Sequence, residues 1–233
     1  MIRFYEKKKE KLMKKFFNLD SPFMIFLSNL TDVVILNVLC LICSIPIITI
    51  GPSVTAMHYI TLKMAREEEI LVGRYFFRAF KENLKKSIMV WLGFLIITAV
   101  FFLDYRILKV VGLAENKVFL MIIGAIYLFV CIATMYVFPL LARFENSLGQ
   151  TIKNSIFMSI LHIFKTLIMA IIYLLPIVLI PLHYNMILVF LLIGLSGPAY
   201  INSYIWKSIF KKYEPEIVKE EIVSDEDFKI SED

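Results

Sequence analysis

An all-α, polytopic membrane protein is what this sequence predicts, and three observations carry the prediction. Of the 233 residues, 59% are hydrophobic and only 19% charged, a more apolar balance than a soluble core of this size requires. Four runs, residues 23–62, 87–103, 118–142 and 166–206, hold one formal charge between them, Asp32. The lysines and arginines gather at the ends of those runs. A helix needs about 20 apolar residues to cross the hydrocarbon of a bilayer, and it is the only open-chain structure that satisfies its own backbone hydrogen bonds there.

The chain opens on a basic amphipathic segment, residues 1–22, in which Tyr5, Leu12, Met13, Phe16 and Phe17 alternate with lysines; this suits an interfacial helix. Forty apolar residues follow, too long for a cleaved signal peptide, so the first span is expected to stay on the protein. Ser21 and Pro22 read as N-cap and first helical position. At 1.5 Å per residue that first run covers roughly 60 Å, two bilayer cores. It is expected to fold as a hairpin of spans 23–44 and 47–62, cornered near Pro46, Gly51 and Pro52. Segment 47–62 also contains Ser53, Thr55 and His58, so a re-entrant or broken helix is the alternative there.

Residues 74–86 place Phe76, Phe77, Phe80 and Leu84 on one helical face and Arg78, Lys81, Glu82 and Lys85 on the other. This predicts an amphipathic cytoplasmic helix, either resting on anionic lipid or serving as a candidate docking helix for a partner. Spans 87–108 and 118–142 form the middle hairpin. A faint repeat at an offset of 68 aligns Phe76, Phe80, Leu84 and Ser87 with Phe144, Leu148, Ile152 and Ser155. Spans 164–181 and 186–206 close the six-span domain of residues 23–206, with a corner near Pro181 to Asn185. Residues 207–233 read as a basic anchor, Lys207, Lys211 and Lys212, then a disordered acidic tail.

Charge distribution orients these spans. With six crossings and both termini inside, 22 basic residues are cytoplasmic and three, Arg106, Lys109 and Lys117, are outside; five crossings would split them 15 to 10. The positive-inside rule favours six. The net charge of +5 is thus explained by the membrane, and no nucleic-acid partner is expected.

Chemistry-bearing motifs are sparse. No G-x-x-x-x-G-K-[ST] loop is present, so the chain is not itself a transport ATPase. Cys40 and Cys43 have C-x-x-C spacing without a second pair, and His58, His162 and His183 lie in separate segments without a carboxylate companion. No cofactor, metal or enzymatic activity is expected. Asp32 stands out: ten residues past Pro22 it lies roughly 15 Å into the first span, where insertion costs about 2.5 to 3.5 kcal/mol unless the group is protonated, paired or wet. At 100° per residue Ser28 and Asn29 fall near Asp32 while Asn37 points away. Asp32, Asn29 and Asn37 are therefore the candidate intramembrane polar site, with Asn202, Tyr204 and Thr55 as candidate partners for Asp32 through interhelical hydrogen bonds or a proton- or solute-linked role.

The string Phe16-Phe17-Asn18-Leu19-Asp20-Ser21-Pro22-Phe23, then Asp32, Asn37, Pro46-Ile47-Ile48-Thr49-Ile50-Gly51-Pro52 and Arg74-Tyr75-Phe76-Phe77-Arg78-Ala79-Phe80-Lys81-Glu82-Asn83 resemble the YesL family of bacterial membrane proteins. The likeness covers most of the chain and is densest over residues 16–87. It departs at Ile25, where the family usually has an arginine. The resemblance implies a Gram-positive plasma membrane and a genomic setting beside carbohydrate importers of the ABC type, their solute-binding proteins and two-component sensors, with no established activity. The expectation is a non-enzymatic accessory or regulatory protein whose partners are the lipid bilayer, ABC sugar-importer subunits or a membrane sensor kinase, or a second copy of the chain. The rival is a stand-alone secondary transporter or channel, motivated by Asp32 and by the Gly51-Pro52 and Gly197-Pro198 breaks.

Overall fold

The computed structural model describes residues 22–110, 117–181 and 186–213. Among them there are helices and turns and no strand. The expectations for the basic opening segment, the acidic tail, and the corner at 182–185 lie outside the described residues. In chain order the helices are α1 (Pro22–Cys43), a 3-10 turn (Ile47–Thr49), α2 (Ile50–Ala65), α3 (Val72–Val110), α4 (Lys117–Arg143), α5 (Leu148–Leu161), α6 (Ile163–Leu179), α7 (Met186–Ile193) and α8 (Ser196–Phe210). Three of these, α1, α3 and α4, are each long and apolar enough to cross a membrane. The pair α5 and α6, bent by 99°, and the pair α7 and α8, bent by 51°, raise the number to five if each pair is one span.

The corner after α1 is tied by Thr49, whose hydroxyl oxygen lies 2.6 Å from the Cys43 carbonyl and 2.8 Å from that of Pro46. Proline is harmless at position 52, inside the first turn of α2, because N–H groups there have no helical acceptor. With 16 residues, α2 is about 24 Å long, shorter than a hydrocarbon core of about 30 Å. Twelve of those residues are buried, which marks it as the central helix, enclosed by α1, α3, α4 and α8. Its last turn ends where Glu67 adopts a positive φ of 63° and where Lys207 on α8 donates to the Ala65 carbonyl at 2.7 Å, a cation placed at the negative end of a helix.

The expected amphipathic helix 74–86 and span 87–108 are one continuous 39-residue helix, α3. No proline interrupts the junction, and α2 packs across it. Gly51 makes that approach close, since a Cβ there would lie 2.5 Å from the Ser87 carbonyl oxygen and 2.8 Å from the Trp91 Cβ. Thr55 and Ser87 hydroxyls meet at 2.8 Å, and the Trp91 indole donates to the Ile47 carbonyl at 2.7 Å.

The expected fifth span, 164–181, corresponds to α6, which is preceded by the separate helix α5, capped by the Ser147 hydroxyl accepting from the Gln150 N–H at 3.4 Å. The expected sixth span, 186–206, is divided between α7 and α8. Two apolar clusters fill the interior: Leu36, Cys40, Ile60 and Phe76 anchor the first, and Leu62, Tyr136, Trp206 and Phe210 the second.

Candidate functional site

Broken helices leave backbone groups without helical partners, and in a bundle that faces lipid those groups need partners from the protein. In the turn between α7 and α8 the partner is Asn37 of α1, whose side chain is fully buried. The Asn37 Nδ2 donates to the Leu191 carbonyl at 2.8 Å and lies 3.4 Å from that of Phe190. The Asn37 Oδ1 accepts from the Leu195 N–H at 2.9 Å and the Ser196 N–H at 3.0 Å. Leu195 N–H and Leu191 carbonyl are four residues apart, the pair an unbroken helix would join directly; the carboxamide is inserted between them. The Ser196 hydroxyl donates to the Val33 carbonyl at 2.8 Å and stands 3.2 Å from Asn37 Oδ1. A carboxamide has two donors and an oxygen with two lone pairs, so Asn37 is well matched to a break that presents carbonyls on one side and N–H groups on the other.

Asp32 and Asn29 lie elsewhere. Together with Ser28 they line an open groove of about 1020 Å³ whose far wall is the α2–α3 connection, Glu67, Glu68 and Glu69, and Tyr75. Asp32 is half-buried there. Glu68 pairs with Lys63, and the Lys63 ammonium sits 5.5 Å and 5.4 Å from the ring centres of Tyr59 and Tyr75. None of the candidate partners reaches Asp32: Thr55 bonds the Gly51 carbonyl and Ser87, Asn202 bonds the Met169 carbonyl, and Tyr204 bonds Tyr200. The structure thus divides the three sequence-selected residues between two places, an acidic groove and a sealed helix break.

The four residues of the candidate docking helix do not form one free face. Phe76 is fully buried, edge-on to Phe77 at 5.7 Å and stacked with Phe80 at 6.2 Å, and Phe80 packs against the first core cluster. Phe77 and Leu84 remain 46% and 37% exposed. Cys40 and Cys43 are unpaired thiols, and the described residues contain no group of His, Cys, Asp and Glu able to hold a metal. Sequence reasoning missed Ser196. The Gly194 to Pro198 string signals a break there, but nothing local says which residue closes it.

Residues 33–105 match the family described as protein of unknown function, DUF624. The match includes Asn37, the whole of α2 and most of α3; it excludes Asp32 and the broken helix that Asn37 closes. No curated protein and no solved structure matches the chain.

Proposed function

We propose that this chain is a non-enzymatic, six-span protein of the bacterial plasma membrane, with both termini cytoplasmic, that assists or regulates a carbohydrate importer of the ABC type or a membrane sensor kinase. The six crossings are α1, the short α2, α3 from about residue 87, α4, α6, and α7 with α8 counted together. On this reading α5 and the first turns of α3 lie at the cytoplasmic interface, consistent with the 22 to 3 division of basic residues. The link to carbohydrate uptake comes from the YesL resemblance.

The observation that favours an accessory protein over a transporter is the closure of the helix break by Asn37. Transporters built on discontinuous helices present half-helix ends to their solute or coupling ion, whereas here those ends are taken by the chain's own carboxamide at 2.8 to 3.0 Å. The rival reading, a solute- or cation-linked transporter, is favoured by the acidic groove around Asp32. Purification from native membranes in mild detergent separates the two: co-purifying importer subunits or a sensor kinase support the first, and solute flux by the pure chain in liposomes supports the second. Orientation is tested independently with single cysteines at Glu69 and Asn185 in a cysteine-free background. An impermeant maleimide applied to intact cells should label position 185 and leave position 69 unmodified; labelling at 69 would overturn the two-crossing reading of residues 23–62.

A further inference from the structure

The groove of about 1020 Å³ beside α1 has four carboxylates in its lining, Asp32, Glu67, Glu68 and Glu69, and no lysine, arginine or histidine. Lys63 pairs with Glu68; among the described residues no cation is paired with Asp32, Glu67 or Glu69. Like charges along one groove repel unless cations lie among them. The acids of the described residues do not converge closely enough to hold a metal ion. Much of the remaining wall is apolar, with Ile25 and Leu27 on α1 and Ile70 and Leu71 on the α2–α3 connection. Spread carboxylates between apolar walls suit an extended ligand that carries several cations interleaved with apolar groups.

The chain carries such a ligand at the edge of the groove. Residues 1–21 run directly into Pro22, and Met24 already lines the groove. In that segment Lys7, Lys8, Lys9, Lys11, Lys14 and Lys15 are interleaved with Leu12 and Met13 and followed by Phe16 and Phe17. Reach is sufficient: Lys15 is seven residues before Pro22, at most about 25 Å of extended chain, whereas the stretch of α1 from Met24 to Asp32 is about 12 Å long. A short tether also raises the effective concentration of the lysines at the carboxylates to about the millimolar range, so individually weak exposed ion pairs add to a docked state. We propose that the basic segment around Lys7 to Lys15 docks in the acidic groove of its own chain. The groove is then covered from within the molecule, and it opens to any other ligand only when the lysines are released. The start of α1 and the α2–α3 connection line the same groove, so this docking does not depend on which side of the membrane that end of the bundle faces.

The test is a distance, measured by double electron–electron resonance on the full-length protein in nanodiscs of zwitterionic phosphatidylcholine. Nitroxides are placed on Leu12→Cys and Gly73→Cys in a cysteine-free background; a Cβ at position 73 meets nothing within 4 Å, and its neighbours Leu71 and Tyr75 line the groove. A narrow, short-distance population is expected. Glu67 and Glu69 are exposed, so Glu67→Gln with Glu69→Gln keeps the fold and should lower the docked-to-undocked ratio about fivefold, the loss of two solvent-exposed ion pairs. Lys11→Gln, Lys14→Gln and Lys15→Gln together should act in the same direction, and the two sets combined should do less than the product of their separate effects. Salt at about 1 M should also release the segment. A broad, long distribution in the unsubstituted segment would overturn the proposal. So would a short distance insensitive to Glu67→Gln with Glu69→Gln, which places the lysines on other carboxylates such as those of residues 214–233. A short distance that needs phosphatidylserine in the nanodisc identifies lipid as the partner, and one lost on dilution into unlabelled protein identifies a second copy; either refutes docking within the chain.

Discussion

Asn37→Leu removes the carboxamide from the α7–α8 break while keeping side-chain volume close to native. Three groups then lose their partner: the N–H groups of Leu195 and Ser196 and the carbonyl of Leu191. Hydrogen bonds within membrane bundles average about 0.6 kcal/mol and reach about 1.7, which gives a lower bound near 2 kcal/mol for three. Buried groups left unpaired cost about 1 to 3 kcal/mol each, so the buried Ser196 N–H and the half-buried Leu195 N–H together bring the upper figure to about 4. The expected loss is therefore about 2 to 4 kcal/mol, roughly a 30- to 1000-fold change in the unfolding equilibrium. It can be read from SDS titration of the purified protein in mixed micelles, followed by tryptophan fluorescence. Ser196→Ala is the control: it removes one hydroxyl but leaves both backbone N–H bonds to Asn37 in place, and should cost less than about 1 kcal/mol. The inserted-amide account is refuted if Asn37→Leu unfolds within about 0.5 kcal/mol of wild type, or if Ser196→Ala is the more damaging change.

Gly51→Ala should destabilise by about 1 to 3 kcal/mol as an overpacking change, because the new Cβ meets the Ser87 carbonyl oxygen at 2.5 Å; Gly93→Ala, where nothing lies within 4 Å, should be neutral or stabilising in the same titration. Phe76→Ala should cost about 3 to 5 kcal/mol, the usual figure for a buried phenylalanine, whereas Phe77→Ala should leave folding nearly unchanged and affect only membrane adsorption or partner retention. Equal losses at the two positions would contradict the division of that helix into a buried and a free face.

The membrane-helical class was legible in the sequence because it depends on contiguous windows: an uncharged run such as residues 118–142 has few other physical solutions, and α4 occupies it from Lys117 to Arg143. Helical geometry alone also separated Asp32 from Asn37, since residues five apart on a 100° period face different neighbours, and the structure puts one in the groove and the other in the core. The same local rules could not divide Phe76 from Phe77. Both are apolar and adjacent, and only the seating of α2 against α3 decides which is covered. Nor could they reveal that residue 37 closes a break at residue 195, a contact across 158 positions. Hydropathy and helix propensity are properties of a window, and they state that a polar group in a span needs a partner without saying whose. The choice of partner depends on which helix faces meet and how closely they approach, and those are decided by the packing of the whole bundle around its central helix, α2.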